Sequence, residues 1–295
     1  MKILVTGITG QLGFDVMREI ELRNRTSIDN GGEALFEAVG ATRKEMPLDA
    51  PDKIDSYIES VRPDAIINCA AYTAVDKAED EPELAETINA KAPGVIARAA
   101  HDIGARLIHI STDYVFPGEG DDFYEVSDET GPRNAYGISK LDGERAVREA
   151  TNRHFIVRIS WVFGINGKNF IRTMLNLAKT HDSLTVVNDQ IGSPTYTADL
   201  ASLLVDMVQT EKYGTYHATN EGVCSWYDLA CEVFRVRGLD VNVTPVPSSE
   251  YQTKATRPKN SRLSKKSLDD ADFRRLPRWQ YAVERYLEEL KAIGE

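Results

Sequence analysis

The chain has few cysteines, and they follow neither of the patterns that stabilise small folds. Its 295 residues include three, Cys69, Cys224 and Cys231. An odd number without paired spacing fits neither a disulfide framework nor a zinc site. Because free thiols are typical of reducing compartments, we expect a cytoplasmic protein.

Long apolar runs are also missing. No stretch reaches the roughly 18 apolar residues of a membrane-spanning helix. The apolar start of the chain, residues 3–5, ends at Thr6 and Gly7, well short of the core of a signal peptide. The sequence therefore predicts neither a membrane contact nor a secretory leader.

Positive charge is scarce, since 35 lysines and arginines face 46 aspartates and glutamates for a net charge of −11. An acidic surface repels nucleic acid and anionic lipid, so neither is an expected partner. Hydrophobic residues still make up 42% of the chain, enough for a buried core in one large or two modest domains. An anionic ligand needs a local cluster of positively charged side chains on this acidic chain.

Short β-rich apolar runs alternate with helical patterns in the first half of the chain. The runs cover residues 3–5, 34–39, 65–69, 107–110 and 155–159. Runs that are apolar on both faces suit covered strands, and helix-length connections make neighbouring strands parallel. The pattern predicts a doubly wound parallel α/β sheet, Rossmann-like in class. The polar residues 23–32 are predicted to form an extended loop before the second strand.

The second half is broken up by prolines and by short helical patterns at 198–209 and 226–236. These features predict a smaller, α-rich C-terminal lobe. The expected division assigns residues 1–165 and 195–222 to a cofactor-binding domain. Residues 166–194 and 223–295 then form the substrate lobe.

Three glycines, Gly7, Gly10 and Gly13, follow the first strand and open a helical pattern. Glycines in this context let the chain turn tightly and admit a pyrophosphate against a helix N-terminus. They predict a dinucleotide site. At the end of the second strand, Arg43 and Lys44 favour the 2′-phosphate of NADPH, whereas the nearby Glu45 leaves NADH open as an alternative.

Tyr136 and Lys140 lie four residues apart in a pattern that stays helical to Ala150, so they share one helix face. A phenol that exchanges protons near neutral pH needs a neighbouring cation, which Lys140 can supply. Thr112 follows the strand at 107–110 and falls at the edge of the sheet where ligands of open α/β folds bind. A hydroxyl there can hydrogen-bond a substrate carbonyl.

Together these residues resemble the extended short-chain dehydrogenase/reductases and, within them, the dTDP-4-dehydrorhamnose reductase family. The likeness covers almost the whole chain. The segments Ala-Tyr-Thr-Ala-Val-Asp at 71–76 and Asp-Gln-Ile-Gly-Ser-Pro-Thr at 189–195 are the most specific. The other matching segments are 6–13, 68–70, 77–79, 111–116, 136–140, 158–164, 188 and 257–261.

The resemblance implies NADPH-dependent reduction of a dTDP-linked 4-keto-6-deoxy sugar to dTDP-L-rhamnose. It makes Tyr136 the proton donor, Lys140 its activator and ribose anchor, and Thr112 the group that polarises the carbonyl. The implied cofactor-facing residues are Gly7, Gly10, Gln11, Leu12, Gly13, Arg43, Leu48, Asp49, Cys69, Ala70, Ala71, Tyr72, Tyr136 and Lys140. The implied substrate-facing residues are Thr112, Asp113, Tyr114, Trp161, Gln190, Pro194 and Arg257.

Residues 254–278 carry a local excess of positive charge, with nine basic side chains against three acidic ones. A nucleotide diphosphate needs such cations, and Arg257 is the expected pyrophosphate ligand because a guanidinium offers two donors. Some family members form dimers bridged by magnesium. Asp15 lies near one such position, but no metal is predicted, and the sequence leaves monomer and homodimer open.

Three other functions compete with this interpretation. A reductase or epimerase of another 4-keto nucleotide sugar would share the glycines and the tyrosine–lysine pair. A non-catalytic relative, like the regulatory subunit of methionine adenosyltransferase, would keep the fold, but here Thr112, Tyr136 and Lys140 are all intact. A nucleic-acid-binding module would need far more positive charge than this chain has.

Overall fold

A six-stranded parallel sheet forms the centre of the computed structural model, which describes residues 1–294. In chain order the strands are β1 (Lys2–Thr6), β2 (Glu37–Ala41), β3 (Ala65–Asn68), β4 (Arg106–Thr112), β5 (His154–Ile159), β6 (Val162–Phe163), β7 (Ser183–Val187), β8 (Ile191–Gly192), β9 (Thr195–Tyr196), β10 (Gly214–His217), β11 (Asn220–Glu221), β12 (Cys224–Ser225), β13 (Asn242–Val246), β14 (Asn260–Ser261) and β15 (Leu276–Arg278).

The α-helices connect these strands and cover the sheet. They are α1 (Gln11–Asp29), α2 (Asp52–Val61), α3 (Val75–Ala78), α4 (Pro82–Glu86), α5 (Ala92–Asp102), α6 (Ala135–Ala150), α7 (Phe170–Leu177), α8 (Thr197–Met207), α9 (Trp226–Arg237), α10 (Lys266–Asp270) and α11 (Trp279–Ala292). A π-helical turn over Thr87–Lys91 precedes α5, and 3-10 turns cover Asp113–Val115 and Ser248–Glu250.

The strand order in the sheet is β10-β5-β4-β3-β1-β2, and every neighbouring pair is parallel. Alternate residues of β1 enter opposite cores: Ile3 packs with α1 and α8, and Leu4 packs with α2 and α5. The chain runs from β1 outward to β2 and then returns to β3 on the other side of β1. Ligands of open α/β sheets bind at such a switch point. The predicted doubly wound parallel sheet is confirmed.

Two local predictions in this half are wrong. Residues 23–29 are helical, not an extended loop, because ion pairs hold the last turns of α1: Arg23 binds Glu19 and Asp206, both at 2.7 Å. The second strand begins at Glu37 and ends at Ala41, later than the predicted 34–39. The buried ring of Phe36 explains the shift, since its backbone is held by the Asn24 side chain and not by a strand.

The sixth strand of the sheet, β10, was not predicted. It pairs with β5 from Gly214 to His217 and lies at the edge of the sheet. With four residues and a glycine at its start, it lacks the apolar run that marks the other strands. Its place is set by burial of Tyr216 in the main core.

A second apolar core lies between α7, α9 and α11, where Met174, Val233 and Tyr286 meet. Short strand pairs such as β7–β13 and the three-stranded β12-β8-β14 surround it. The proposed division of the chain into two discontinuous domains stays a prediction. Across residues 1–294, no helix combines the length and the apolar character that crossing a membrane requires.

Candidate active site

A cleft of about 800 Å³ opens at the carboxyl ends of β1, β3, β4 and β5. This volume lies within the usual range of sites for small molecules and cofactors. All fourteen residues predicted to face a cofactor lie in its wall. Of the seven predicted to face a substrate, the wall includes Thr112, Asp113, Tyr114 and Trp161.

The glycine turn forms one end of this cleft, and its backbone leaves no room for side chains. Gly7 has a left-handed φ of 66°, and a Cβ atom there would lie 2.9 Å from the backbone of Ala70. A Cβ atom on Gly13 would lie 2.4 Å from the carbonyl oxygen of Gly7. Gly10 caps α1 without a side-chain hydrogen bond. The first N–H groups of the helix therefore suit a phosphate group.

Arg43 lies in the wall beyond β2, with most of its side chain exposed and paired with Asp49. In the sequence, Glu45 was the reason that NADH stayed an alternative to NADPH. In the structure, its side chain turns back onto its own loop. Its carboxylate accepts hydrogen bonds from the backbone and hydroxyl of Thr42, which lower the pKa of Glu45. The Glu45 carboxylate is therefore engaged by Thr42, and it does not line the cleft.

Tyr136 and Lys140 occupy the first turns of α6, which begins where Asn134 accepts a 2.7 Å hydrogen bond from the Gly137 amide. Thr112 is the last residue of β4. Its hydroxyl donates to Asp113 at 2.9 Å and accepts from the backbone amide of Tyr114 at 3.2 Å, and Thr112 and Tyr136 both line the cleft. The structure thus brings together the three residues predicted for catalysis, although they come from two separate elements.

Burial shapes the acidity of these groups. It raises the pKa of Tyr136 above that of a free phenol and lowers the pKa of Lys140 to about 8. In the resting protein the Nζ of Lys140 donates to the carbonyl oxygen of Ile110 at 2.6 Å, and burial is the main influence on the pKa of Tyr136. Tyr136 is therefore protonated at neutral pH, as a proton donor must be.

Asp113 links Thr112 to β14. Its two carboxylate oxygens accept from the hydroxyls of Thr112 and Ser261, and burial raises its pKa to about 6. Ser261 was not singled out from the sequence, and it comes from β14, more than a hundred residues away. Only the fold reveals that these two hydroxyls share one carboxylate.

A buried ion pair behind the site was also missed. Arg158 on β5 binds both oxygens of Glu144 on α6 at 2.8 Å, and the Ser111 hydroxyl donates to Glu144 at 2.6 Å. Both charged side chains are almost fully buried. The pair fixes α6 against the ends of β4 and β5, where Thr112 lies.

Gln190, Pro194 and Arg257, predicted to face the substrate, do not line the cleft. Gln190 is held 3.2 Å from the indole nitrogen of Trp226, and Pro194 is buried with its carbonyl bound to the backbone of Asn220. Arg257 is drawn to Asp76 and donates to the Tyr114 hydroxyl at 3.2 Å, so it lies directly behind a wall residue.

The basic segment 254–278 is not an open cationic surface. Six of its nine cations form ion pairs within the protein, and Lys265 is buried against Ser193. The pairs are Lys254–Asp80, Arg257–Asp76, Lys259–Asp189, Arg262–Asp121, Lys266–Asp270 and Arg275–Asp269. Among these cations, Arg257 is the one joined to the cleft through a hydrogen bond.

Trp161 projects from a strained backbone beside the cleft. Its φ is 49°, and its ring stacks on Trp226 with ring centres 3.8 Å apart. Phe170 also packs against Trp226, with the two ring centres 4.7 Å apart. The sequence indicated Trp161 but not the stack that holds it.

Asp15, considered for a metal, is buried and engaged by protein groups. It accepts from the hydroxyl of Thr197 and binds Arg18 at 3.0 Å. Across residues 1–294, no three His, Cys, Asp or Glu side chains are gathered in a way that could hold a metal ion.

Comparison with known families adds a decisive match. The model of the RmlD substrate-binding domain matches residues 1–292. The chain belongs to the RmlD family. The resemblance inferred from the sequence is thereby confirmed.

Relatives of this RmlD-family chain are known from several bacteria. The dTDP-4-dehydrorhamnose reductase of Escherichia coli K12 is 41% identical over 302 residues, covering 98% of each chain. The spore coat polysaccharide biosynthesis protein SpsK of Bacillus subtilis is 39% identical over 289 residues, covering 98% of this chain and 97% of the relative.

Solved structures agree with this assignment. A dTDP-4-dehydrorhamnose reductase from Clostridium acetobutylicum has a TM-score of 0.93 at 40% identity, covering 99% of this chain and 100% of the other. One from Bacillus anthracis, solved in complex with NADP, has a TM-score of 0.91 at 38% identity, covering 98% and 99%. A UDP-glucose 4-epimerase from Thermus thermophilus, at 17% identity and a TM-score of 0.79, shares the fold.

Proposed function

We propose that this chain is an NADPH-dependent reductase that converts the C4 ketone of dTDP-6-deoxy-L-lyxo-4-hexulose to the alcohol of dTDP-L-rhamnose. The observation that carries the proposal is the meeting of Thr112, Tyr136 and Lys140 in one cleft with the glycine turn. Relatives near 40% identity over nearly the whole chain are dTDP-4-dehydrorhamnose reductases, which supports the choice of sugar nucleotide.

The residues of the cleft fit a dinucleotide. A Cβ atom at Gly7 or Gly13 would meet the backbone of Ala70 or Gly7, so only glycine permits the tight turn that brings a pyrophosphate to the helix N-terminus. Arg43 is available for a 2′-phosphate, and Glu45 is engaged by Thr42. These features favour NADPH over NADH.

The chemistry that NADPH supplies when bound is the hydride that reaches C4 of the sugar. As the C4–O double bond opens, the oxygen gains negative charge, and Tyr136 donates its phenolic proton to that oxygen. Thr112 supports the same oxygen by a hydrogen bond. One hydride and one proton are added, so the ketone becomes a secondary alcohol and the tyrosine becomes a phenolate.

Lys140 acts on the state that follows. Its ammonium group lowers the cost of the phenolate formed on Tyr136, which then regains a proton from solvent. Burial raises the pKa of Tyr136, so the resting phenol is protonated at neutral pH, and a neighbouring cation is needed to make its proton easier to donate. In the resting protein the single hydroxyl proton of Thr112 is donated to Asp113, so the hydroxyl must turn from Asp113 to the C4 oxygen to support the negative charge there.

The test mixes the purified protein with NADPH and dTDP-6-deoxy-L-lyxo-4-hexulose and follows the absorbance of the reduced nicotinamide. We expect consumption of NADPH and formation of dTDP-L-rhamnose. A second 4-keto nucleotide sugar serves as the comparison. Faster turnover of that second sugar would contradict the substrate assignment, and NADPH binding without turnover of either sugar would favour the non-catalytic alternative.

A further inference from the structure

A row of buried polar side chains crosses three neighbouring strands and ends at Lys140. Thr6 on β1 is paired in register with Asn68 on β3, and Asn68 is paired with His109 on β4. All three side chains are almost fully buried, with exposures of 1%, 1% and 0%. Parallel strands in this register place the three on the same face of the sheet.

Hydrogen bonds run continuously along this row. The Thr6 hydroxyl lies 2.7 Å from Oδ1 of Asn68, and Nδ2 of Asn68 lies 3.2 Å from Nδ1 of His109. The other ring nitrogen, Nε2, lies 3.4 Å from Nζ of Lys140. At the far end, the backbone amide of Ala70 donates to the Thr6 hydroxyl at 3.2 Å.

The row admits two patterns of protons, because a neutral imidazole donates from one nitrogen and accepts at the other. In the first pattern, Nδ2 of Asn68 donates to Nδ1 of His109, so Nε2 carries the proton and faces a neutral Lys140 amine. In the second, the amide is turned by 180°, Nδ1–H donates to Oδ1 of Asn68, and Nε2 accepts from a Lys140 ammonium. The Thr6 hydroxyl can donate or accept and thus serves both patterns.

The structure has the amide in the first of these orientations, with Oδ1 toward Thr6. Passing to the second pattern requires the uptake of one proton overall. The amine of Lys140 becomes an ammonium, and the imidazole remains neutral while its proton moves from Nε2 to Nδ1. Asn68 exchanges its two ends, and the Thr6 hydroxyl, which then accepts from both Asn68 and the Ala70 amide, gives up the hydrogen bond that it donates to Asn68 in the first pattern.

We propose that His109 is a positioning residue for Lys140, and that the orientation of the Asn68 amide selects which protonation state of Lys140 the imidazole supports. The row would hold the Lys140 side chain toward the carbonyl of Ile110 in both states. The significance for catalysis rests on the proposed reductase function, but the coupling itself does not.

The electrostatic surroundings agree with this mechanism. Burial lowers the pKa of His109 well below 6.5, so the ring stays neutral while Lys140, with a pKa of about 8, changes charge. Around the pair, Glu144 favours the Lys140 ammonium, and Lys140, His154 and Arg148 disfavour a positive charge on His109. The residues that β1 and β3 contribute to this row, Thr6 and Asn68, are uncharged.

The first experiment reads the tautomer directly in the full-length protein without cofactor. Long-range ¹H–¹⁵N spectra of histidine-labelled protein identify which ring nitrogen carries the proton, and His109→Phe assigns the signal. We expect the Nδ1–H form below about pH 8 and the Nε2–H form above it, with the change at the Lys140 midpoint. One unchanged tautomer across this range, or a doubly protonated ring at neutral pH, would overturn the proposal.

The second experiment uses Asn68→Asp, which keeps the size of the side chain and removes its donor. A carboxylate can only accept at Nδ1, so His109 is expected to be in the Nδ1–H form at every pH. The added negative charge should raise the Lys140 midpoint by about one pH unit. Asn176→Asp adds the same charge to an exposed side chain that contacts Lys179, and should change neither property.

The catalytic consequence is measured as the pH dependence of kcat/KM. Asn68→Asp should move the limb that reports Lys140 upward, in step with the NMR midpoint, whereas Asn176→Asp should leave it in place. An Nε2–H signal in Asn68→Asp, or a limb that moves equally in both variants, would contradict the role given to Asn68. If the protein reduces no sugar nucleotide, the proposed function fails while the tautomer measurement still decides the coupling.

Discussion

Under the proposed function the cleft has a cofactor half and a substrate half, and the two are built in different ways. The cofactor half consists of the glycine turn and the ends of β1 to β3, where backbone atoms contact one another directly: Gly13 lies against Gly7, and Gly7 against Ala70. The substrate half is assembled from distant segments through side chains, as in the pairs Trp161–Trp226 and Arg257–Tyr114. The cofactor half depends on the absence of side chains, and the substrate half depends on contacts between side chains.

Helix α6 stands between these halves and carries the groups that serve both. Tyr136 belongs to the reaction itself and Lys140 to both the phenol and the bound ribose under the proposed function. The comparison therefore predicts that substitutions divide into three kinds: those that stop chemistry alone, those that weaken the cofactor, and those that weaken the sugar nucleotide.

The largest effect is expected from Tyr136→Phe. Removing the hydroxyl removes the proton donor and should lower kcat by about 10² to 10⁴, the usual contribution of general acid catalysis. The Kd for NADPH should stay within about twofold, because the ring still fills its place; kcat comes from stopped-flow kinetics and Kd from fluorescence titration. Wild-type kcat in this variant would remove Tyr136 from the proposed role.

Gly13→Ala should impair only the cofactor half of the cleft. Its Cβ atom would lie 2.4 Å from the Gly7 oxygen, and because that atom belongs to the backbone, the turn must move. Overpacking of this kind costs about 1 to 3 kcal/mol, and we expect NADPH binding to weaken and Tm to fall. Gly131→Ala is the matched control, since the nearest atom to its Cβ lies at 3.7 Å. Equal losses in both variants would show that the turn has no special role.

Arg257→Gln should affect the substrate half. The variant loses a charged donor to Tyr114 and leaves Asp76 without its cation, so the KM for the nucleotide sugar should rise about tenfold. The Kd for NADPH should not change. Arg275→Gln removes a charge from the same segment, where it pairs with Asp269, and should leave KM unaltered. A comparable rise in both variants would indicate an effect of net charge.

Arg43→Ala is expected to have the smallest effect, because the side chain is largely exposed. The ratio of kcat/KM for NADPH to that for NADH should fall by about tenfold or less, which corresponds to about 1.4 kcal/mol at most. Arg25→Ala removes an exposed cation that pairs with Glu21 on α1 and serves as the control. An unchanged ratio would count against recognition of the 2′-phosphate by Arg43.

The same contrast explains what the sequence could predict. The glycine turn and the Tyr136–Lys140 pair each depend on residues within one short segment, so spacing alone located them. The contacts of Arg257 depend on Asp76, which lies 181 positions away, and no local sequence pattern predicts that pair. Likewise, β10 gains its place from the burial of Tyr216, and the last turns of α1 from Asp206 on α8.

The left-handed backbone of Trp161 has a practical consequence for redesign. Positive φ is unfavourable for a bulky residue, and the stack with Trp226 keeps the indole in place in spite of it. Enlarging the cleft by removing this ring would also remove the contacts that offset the strain. Replacement by glycine or asparagine, which tolerate this conformation, should open the cleft while retaining the path of the chain.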